Sequence, residues 1–204
     1  MSPKDKPRGY FQYLLAIDCE TSGLFFNEDD PSFNSSTKEY YQAVSFGLVV
    51  ANAEKLTPVE ELYVEIQWDR KSLWSEKAES VHGLSKEYLD EHGISTKNAV
   101  EEIGNLIIKY WGPANSIRLL GHNVATFDIW FLRRLMRSEG INLHFGNRHV
   151  DTSTLGYIAL NVFNSDDLFK QLGLPVRDKH NALDDAKYAL ETARRIRKIF
   201  NSVI

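Results

Sequence analysis

The apolar run Tyr13-Leu14-Leu15-Ala16-Ile17 ends in two carboxylates set two positions apart, Asp18 and Glu20. Residues 10–18 are dense in apolar and aromatic side chains and too short for a helix, so they read as a buried strand. Acidic side chains are poor strand formers and costly to bury, so a core strand that finishes on Asp-x-Glu needs something to compensate them. Side chains at i and i+2 of a strand share a face; Asp18 and Glu20 therefore project together while Cys19 points away. That arrangement suits a hard cation. With 28 acidic residues in 204, an isolated Asp-x-Glu also arises by chance as a solvated strand end, so further carboxylates are required.

Two later stretches supply candidates. In "GHNVATFDIWFL" (121–132) a strand ends at His122-Asn123 and Asp128 opens the next helix, where it would also serve as a charge favoured by the helix dipole. In "HNALDDAKYAL" (180–190) His180 sits in a lead-in loop and Asp184 and Asp185 fall in the first helical turns. Each is ordinary alone. Three such places in order are not.

The segments between them alternate in character. Strands are expected over 42–52 and 59–68, the second alternating Leu62, Val64 and Ile66 against Glu61, Tyr63 and Glu65. No helix is expected between the first three strands, so they form an antiparallel meander. Residues 24–41, rich in Asn, Asp, Ser and Pro, read as a long loop. After residue 98, helices and strands alternate. A helix with Val100, Ile103, Leu106, Ile107 and Tyr110 on one face stops at Gly112-Pro113, a strand covers 116–123, and a helix ends at Gly140. A short strand follows near 148–152, then helices over 155–161, from an N-cap at Ser165 to Gly173, and from about Asn181 to Phe200. Strands followed by helix–strand alternation predict a mixed α/β sheet with helices on its faces.

Bulk properties narrow the function. A formal charge of −4 excludes a protein that coats nucleic acid through a broad basic face, but not one that holds a few phosphates through metal ions. A single cysteine excludes an internal disulfide or a multi-cysteine zinc site and suits a reducing compartment, with cytoplasm as the expectation. No run has the apolar length of a membrane helix, so no membrane partner is expected. Residues 1–9 are expected to be a disordered lead-in to one domain over 10–204.

At this point the sequence resembles the DEDDh branch of the DEDD superfamily, the DnaQ-like, proofreading-type 3′-to-5′ exonucleases, from about residue 13 to 195. The resemblance rests on Asp18-x-Glu20-Thr21 with Ser22-Gly23, on His122-Asn123 before Phe127-Asp128, and on His180 followed by Asp185. "ESVHGLS" (79–85) and "VDTSTLG" (150–156) are similar to the family's connecting segments. The family's His-x4-Asp spacing selects Asp185 over Asp184. His180 marks the branch, since the sister branch uses a tyrosine nearer the last aspartate, a role Tyr188 does not fit.

The resemblance implies an RNase H-like mixed five-stranded sheet, antiparallel over its first three strands and then parallel, flanked by helices. It implies two divalent cations, Mg2+ or Mn2+, with Asp18 bridging both, Glu20 and Asp185 on the nucleophile-side metal, and Asp128 acting directly or through a bound water. Carboxylate and water oxygens are the donors such ions prefer. His180 is then the general base. Backbone at Thr21 and Gly23 would meet the terminal sugar, with Leu24 and Phe127 flanking the last nucleotide and His122 and Asn123 as further substrate contacts. Core packing is the competing reading for Leu24 and Phe127. Stacking on such faces tolerates any base, so sequence-nonspecific hydrolysis is expected.

The implied partners are 3′ ends of single-stranded DNA, favoured, or RNA, the nucleoside 5′-monophosphate product, and a DNA polymerase or repair complex. Alternatives are an exoribonuclease of RNA processing or turnover and a non-catalytic nucleic-acid-binding or replication subunit. The basic run "ARRIRK" (193–198) carries the apolar stripe Ala189, Ala193, Ile196 and Phe200, which predicts a solvated helix face and not a nucleic-acid track.

Overall fold

The computed structural model describes residues 11–24, 40–113, 116–175 and 178–203. The expected N-terminal lead-in and all but the ends of the expected 24–41 loop lie outside the described residues. In chain order the elements are β1 (Tyr13–Thr21), β2 (Ala43–Asn52), β3 (Thr57–Glu65), α1 (Glu76–His82), α2 (Lys86–His92), α3 (Thr96–Trp111), β4 (Leu119–Gly121), α4 (Asp128–Ser138), β5 (Val150–Asp151), α5 (Thr152–Leu160), α6 (Ser165–Gln171) and α7 (Ala182–Val203).

One five-stranded sheet has the order β3-β2-β1-β4-β5. β1, β2 and β3 pair antiparallel, whereas β4 pairs parallel with β1 and β5 parallel with β4. The expected mixed sheet is therefore present. Several boundaries differ from the sequence reading. β1 does not stop at Asp18 but runs on to Thr21, because its pairing with β2 continues through Glu20↔Ser45 before the register shifts. β3 starts and ends earlier than 59–68, although Val64 and Ile66 are buried as the alternation requires. α5 starts at Thr152, three residues early, because Asp151 caps it by accepting from the Ser153 N–H at 3.0 Å. Ser165 is not the N-cap of α6; the Asn164 side chain is, accepting from the N–H groups of Asp166 and Asp167.

Two apolar clusters hold the sheet between helices. On one face Leu15, Ile17 and Cys19 pack with Phe46 and Leu48 against Ile103 and Ile107 of α3 and Phe131 and Leu132 of α4. On the other, Leu14 and Ala16 pack with Val49 and Ala51 against Ala186, Ala189, Leu190 and Ala193 of α7. Burying a Leu, Ile or Phe side chain contributes roughly 1.5–3 kcal/mol, so these clusters fix where the helices sit.

The alanine-rich face of α7 lets the helix approach β1 and β2 closely. At Gly47 a Cβ would lie 2.2 Å from the backbone of Ala182, so no side chain fits between strand and helix there. Gly47 is the register partner of Asp18 on β1. The first turn of α7 is thus seated beside the strand segment that carries Asp18 and Glu20. Continuing the even-numbered face of Leu14 and Ala16, those two carboxylates point toward α7, opposite to Cys19.

Candidate active site

Glu20, His180 and Asp185 each offer one donor atom to a group whose members lie within 4.8 Å of one another. Glu20 comes from β1, His180 from the loop before α7, and Asp185 from the first turns of α7. Glu20 and Asp185 are buried, at 8% and 4% exposure. His180 Nδ1 lies 3.5 Å from Asp185 Oδ2.

Local bonds explain how α7 presents its carboxylate. Asn181 caps the helix, its Oδ1 accepting from the N–H groups of Leu183 and Asp184, and the Asp185 N–H donates to the Asn181 carbonyl at 2.9 Å. Asp184 faces solvent while Asp185 turns inward. Of the two, Asp185 is the one turned toward Glu20 and His180. The His180 N–H donates to the Val81 carbonyl at 3.2 Å, tying the loop to the end of α1.

A cavity of about 260 Å3 opens over this group. Asp18, Glu20, Thr21, Leu24, His122, Phe127, His180 and Asp185 line it together with Cys19, Ala78, Val81, His82, Ser165 and Phe169. Leu24 stands at its edge with 65% of its surface exposed, and the half-buried Phe127 ring lies 5.0 Å from that of Phe131. His122 Nδ1 lies 3.1 Å from Thr152 Oγ1, whose own hydroxyl donates to the Gly121 carbonyl. Since that hydroxyl proton is used, the imidazole donates from Nδ1.

Three expected residues do not line the cavity. Gly23 is packed under the Tyr41 ring, with no room for a Cβ, and its carbonyl accepts from Thr21 Oγ1 at 2.7 Å. Asn123 takes a left-handed φ of 58°, which asparagine tolerates, and donates its N–H to Asp151 at 3.1 Å. Asp128, only 2% exposed, lies behind Cys19 and accepts from its N–H at 2.9 Å. Burial pushes the Asp128 carboxyl up to about 7, against the opposing hydrogen bonds from Cys19. Burial, with Asp128, Asp18 and Glu20 beside it, likewise raises the Cys19 thiol.

The family model described as RNase_T, exonuclease, matches residues 15–193. The chain belongs to this exonuclease family. The DEDDh-type resemblance read from Asp18, Glu20, Asp128, His180 and Asp185 stands with it. No curated protein sequence gives a significant match.

Among solved structures, the fold is similar to E. coli Exonuclease I in complex with a dT13 oligonucleotide. The TM-score is 0.73 at 15% identity, covering 94% of this chain and 43% of that one. Exonuclease I from Methylocaldum szegediense gives 0.69 at 18% identity over 91% and 40%. A 3′-exonuclease in a structure of 3′-end-specific recognition of a histone mRNA stem-loop gives 0.64 at 16% identity, over 93% and 83%. The chain thus spans less than half the length of the Exonuclease I proteins that it matches.

Several residues that line this cavity escaped sequence reasoning. His82, Val81 and Ala78 lie on α1, and Ser165 and Phe169 on α6. His82 is buried, with its ring edge-on to Trp74 and its Nδ1 accepting from the Leu84 N–H at 3.0 Å. Burial pulls its pKa down, with the Thr21 carbonyl opposing. The one available signal was "ESVHGLS", which looks like a family connecting segment but does not reveal that its histidine turns inward.

Proposed function

We propose that residues 10–204 form a single exonuclease domain that removes nucleoside 5′-monophosphates from 3′ ends of single-stranded nucleic acid in a divalent-metal-dependent reaction. The observation that carries this reading is the convergence of Glu20, His180 and Asp185 beside Asp18 at one cavity. The donor set fits the ions: carboxylate oxygens with one imidazole suit Mg2+ or Mn2+. Asp18, Glu20 and Asp185 would hold them, with Asp128 joining directly or through a water. When bound, a pair of such cations supplies charge neutralisation for an in-line phosphodiester displacement.

The remaining work falls to the chain's own groups. His180 takes the proton from the attacking water, in reach of Asp185 and on a loop fixed through its main chain to Val81. Leu24 and Phe127 flank the terminal nucleotide, whose sugar meets backbone near Thr21, and His122 lines the same end; Gly23 and Asn123 act from behind, Gly23 by holding Thr21 Oγ1 and Asn123 by shaping the turn after β4. Contacts of this kind read stacking and shape, not base identity.

DNA is the favoured polymer, supported by the proofreading-type motifs and by the likeness to Exonuclease I bound to dT13. RNA is the second reading, and one observation favours it: the histone mRNA 3′-exonuclease is matched over 83% of its length, the Exonuclease I proteins over about 40%. On the DNA reading, the host assembly is a polymerase or repair complex. Cytoplasm remains the expected compartment; no helix among the described residues is long and apolar enough to cross a membrane.

The test is degradation of 5′-labelled single-stranded DNA and RNA of matched sequence, with Mn2+ or with chelator. A metal-dependent ladder that shortens from the 3′ end, lost in Asp18→Ala, is expected, with DNA degraded faster. Faster loss of RNA selects the second reading. Cleavage of neither polymer contradicts the proposal and leaves a non-catalytic binding role.

A further inference from the structure

Away from the cavity, a group of cations is built into the frame of the fold. The Arg133 guanidinium on α4 lies between two aromatic rings, with Cζ 5.2 Å from the Trp130 centroid and 5.0 Å from that of Phe145. Arg118, just before β4, places its guanidinium over Phe11 at 4.4 Å. Its stem runs along Gly146, where a Cβ would lie 3.1 Å from Arg118 Cγ. Phe145 and Gly146 are themselves fixed: the Ile117 N–H donates to the His144 carbonyl and the Gly146 N–H to the Ile117 carbonyl. His149 completes the group, its Nδ1 accepting from the Leu119 N–H at 3.1 Å, which leaves the proton of the neutral ring on Nε2.

Among the described residues Arg118, Arg133 and Arg137 form no ion pair with a carboxylate, in a chain whose net charge is −4. Arg118 Nε is buried and donates to no acceptor. Arg133 and Arg137 are like charges at i and i+4, an arrangement that destabilises a helix. Burial lowers the pKa of Arg133 and of His149, and the neighbouring cations add to it, Arg137 at Arg133 and Arg133 with Arg118 at His149. Asp151, the one acid that opposes this at His149, is already engaged by the N–H groups of Asn123 and Ser153. Stacked guanidiniums with their edges unspent are suited to phosphate.

We propose that Arg118, Arg133, Arg137 and His149 form a second nucleic-acid contact, which binds backbone phosphates of the substrate strand upstream of its 3′ end. The inference rests on the exonuclease reading for the identity of its ligand. α4 begins at Asp128 behind the cavity; at about 1.5 Å per residue, Arg133 and Arg137 lie about 7 and 13 Å further along its axis. Even at the roughly 3.4 Å per nucleotide of a stacked duplex strand, about four phosphates cross that distance, and an extended single strand needs fewer. Long strands then engage the contact and very short ones do not.

The test is fluorescence anisotropy of a labelled 12-nucleotide and a labelled 3-nucleotide single strand in chelator, where cleavage does not interfere. Arg118→Gln/Arg133→Gln/Arg137→Gln is compared with wild type, and the surface variant Arg137→Glu carries the comparison should the triple variant unfold. For the 12-mer, the triple variant is expected to raise Kd about tenfold and reduce the slope of log K against log salt by about 2, as three single-strand phosphate contacts require. Arg137→Glu raises Kd about threefold, and the 3-mer shifts less than twofold in either variant. Unchanged 12-mer affinity and salt slope overturn the inference and turn attention to an acidic protein partner. Cleavage by wild type, followed separately in Mn2+, reports on the exonuclease reading alone.

Discussion

Asp128 shows how one side chain carries opposed demands. Its carboxyl is buried against Cys19 and raised to about 7, whereas the unfolded chain leaves it near the ordinary 3.9. Between those values the folded protein holds a proton that the unfolded chain has lost. Without metal, the stability contributed by this group is therefore fully present below about pH 4, is lost as pH rises from there through about 7, and levels off above. Asp128→Asn keeps the acceptor for the Cys19 N–H and removes the charge. Its expected outcome is a Tm several degrees above wild type at pH 8 in chelator, a flatter pH dependence between 4 and 7, and activity reduced by at least about a hundredfold. Thermal melts across that range check it, and a lower Tm with an unchanged pH slope would contradict it. The sequence placed Asp128 at a helix start but said nothing of this burial, because the Cys19 N–H that receives it lies 109 positions away.

At the scale of elements, the site depends on how closely α7 approaches β2. Gly47→Ala puts a methyl group into the Ala182 backbone, which cannot yield as a flexible side chain would. The expected cost is about 1–3 kcal/mol, measured by denaturant unfolding, with a loss of activity larger than that of an equally destabilising change on the α3 face. Equal losses for the two would separate α7 placement from function. Much of this layer was legible: the strand pattern of β2, the apolar stripe of α3, the extent of α4 and the start of α7 all follow from local periodicity and punctuation. Of the stripe on the last helix, Ala189, Ala193 and Ile196 are buried, but Phe200 is 42% exposed. The basic run there is a solvated face as expected, with Arg194 and Arg195 paired to Glu191. The short α1 and α2 were missed. Each is seven residues long, held by Ser75 and Ser85 caps and by tertiary contact, and buries too few apolar positions to show a period.

For the whole molecule, the DEDDh motifs were legible because the acids come in order at strand and helix ends, and the family match extends over 15–193. What local sequence could not show is the closing of the cavity by α1 and α6, which depends on long-range packing. If the proposed site holds cations, a cavity that gathers Asp18, Glu20 and Asp185 would store electrostatic repulsion that the ions relieve. Mn2+ at about a hundredfold over its Kd is expected to stabilise the fold by about 2.7 kcal/mol. Differential scanning fluorimetry should show a Tm rise of several degrees in wild type and little rise in Asp18→Ala; equal rises in both would contradict this assignment of the metal site.

If the inward-facing acid of α7, with Glu20 and His180, makes the catalytic centre, the two neighbouring aspartates must behave differently. Both Asp184→Asn and Asp185→Asn remove one charge from the same helical turn, but only Asp185 lines the cavity. On 5′-labelled single strands in Mn2+, Asp184→Asn should retain activity within about twofold and Asp185→Asn should lose about a thousandfold or more. Equal activity in the two variants, or loss in Asp184→Asn alone, would contradict the account.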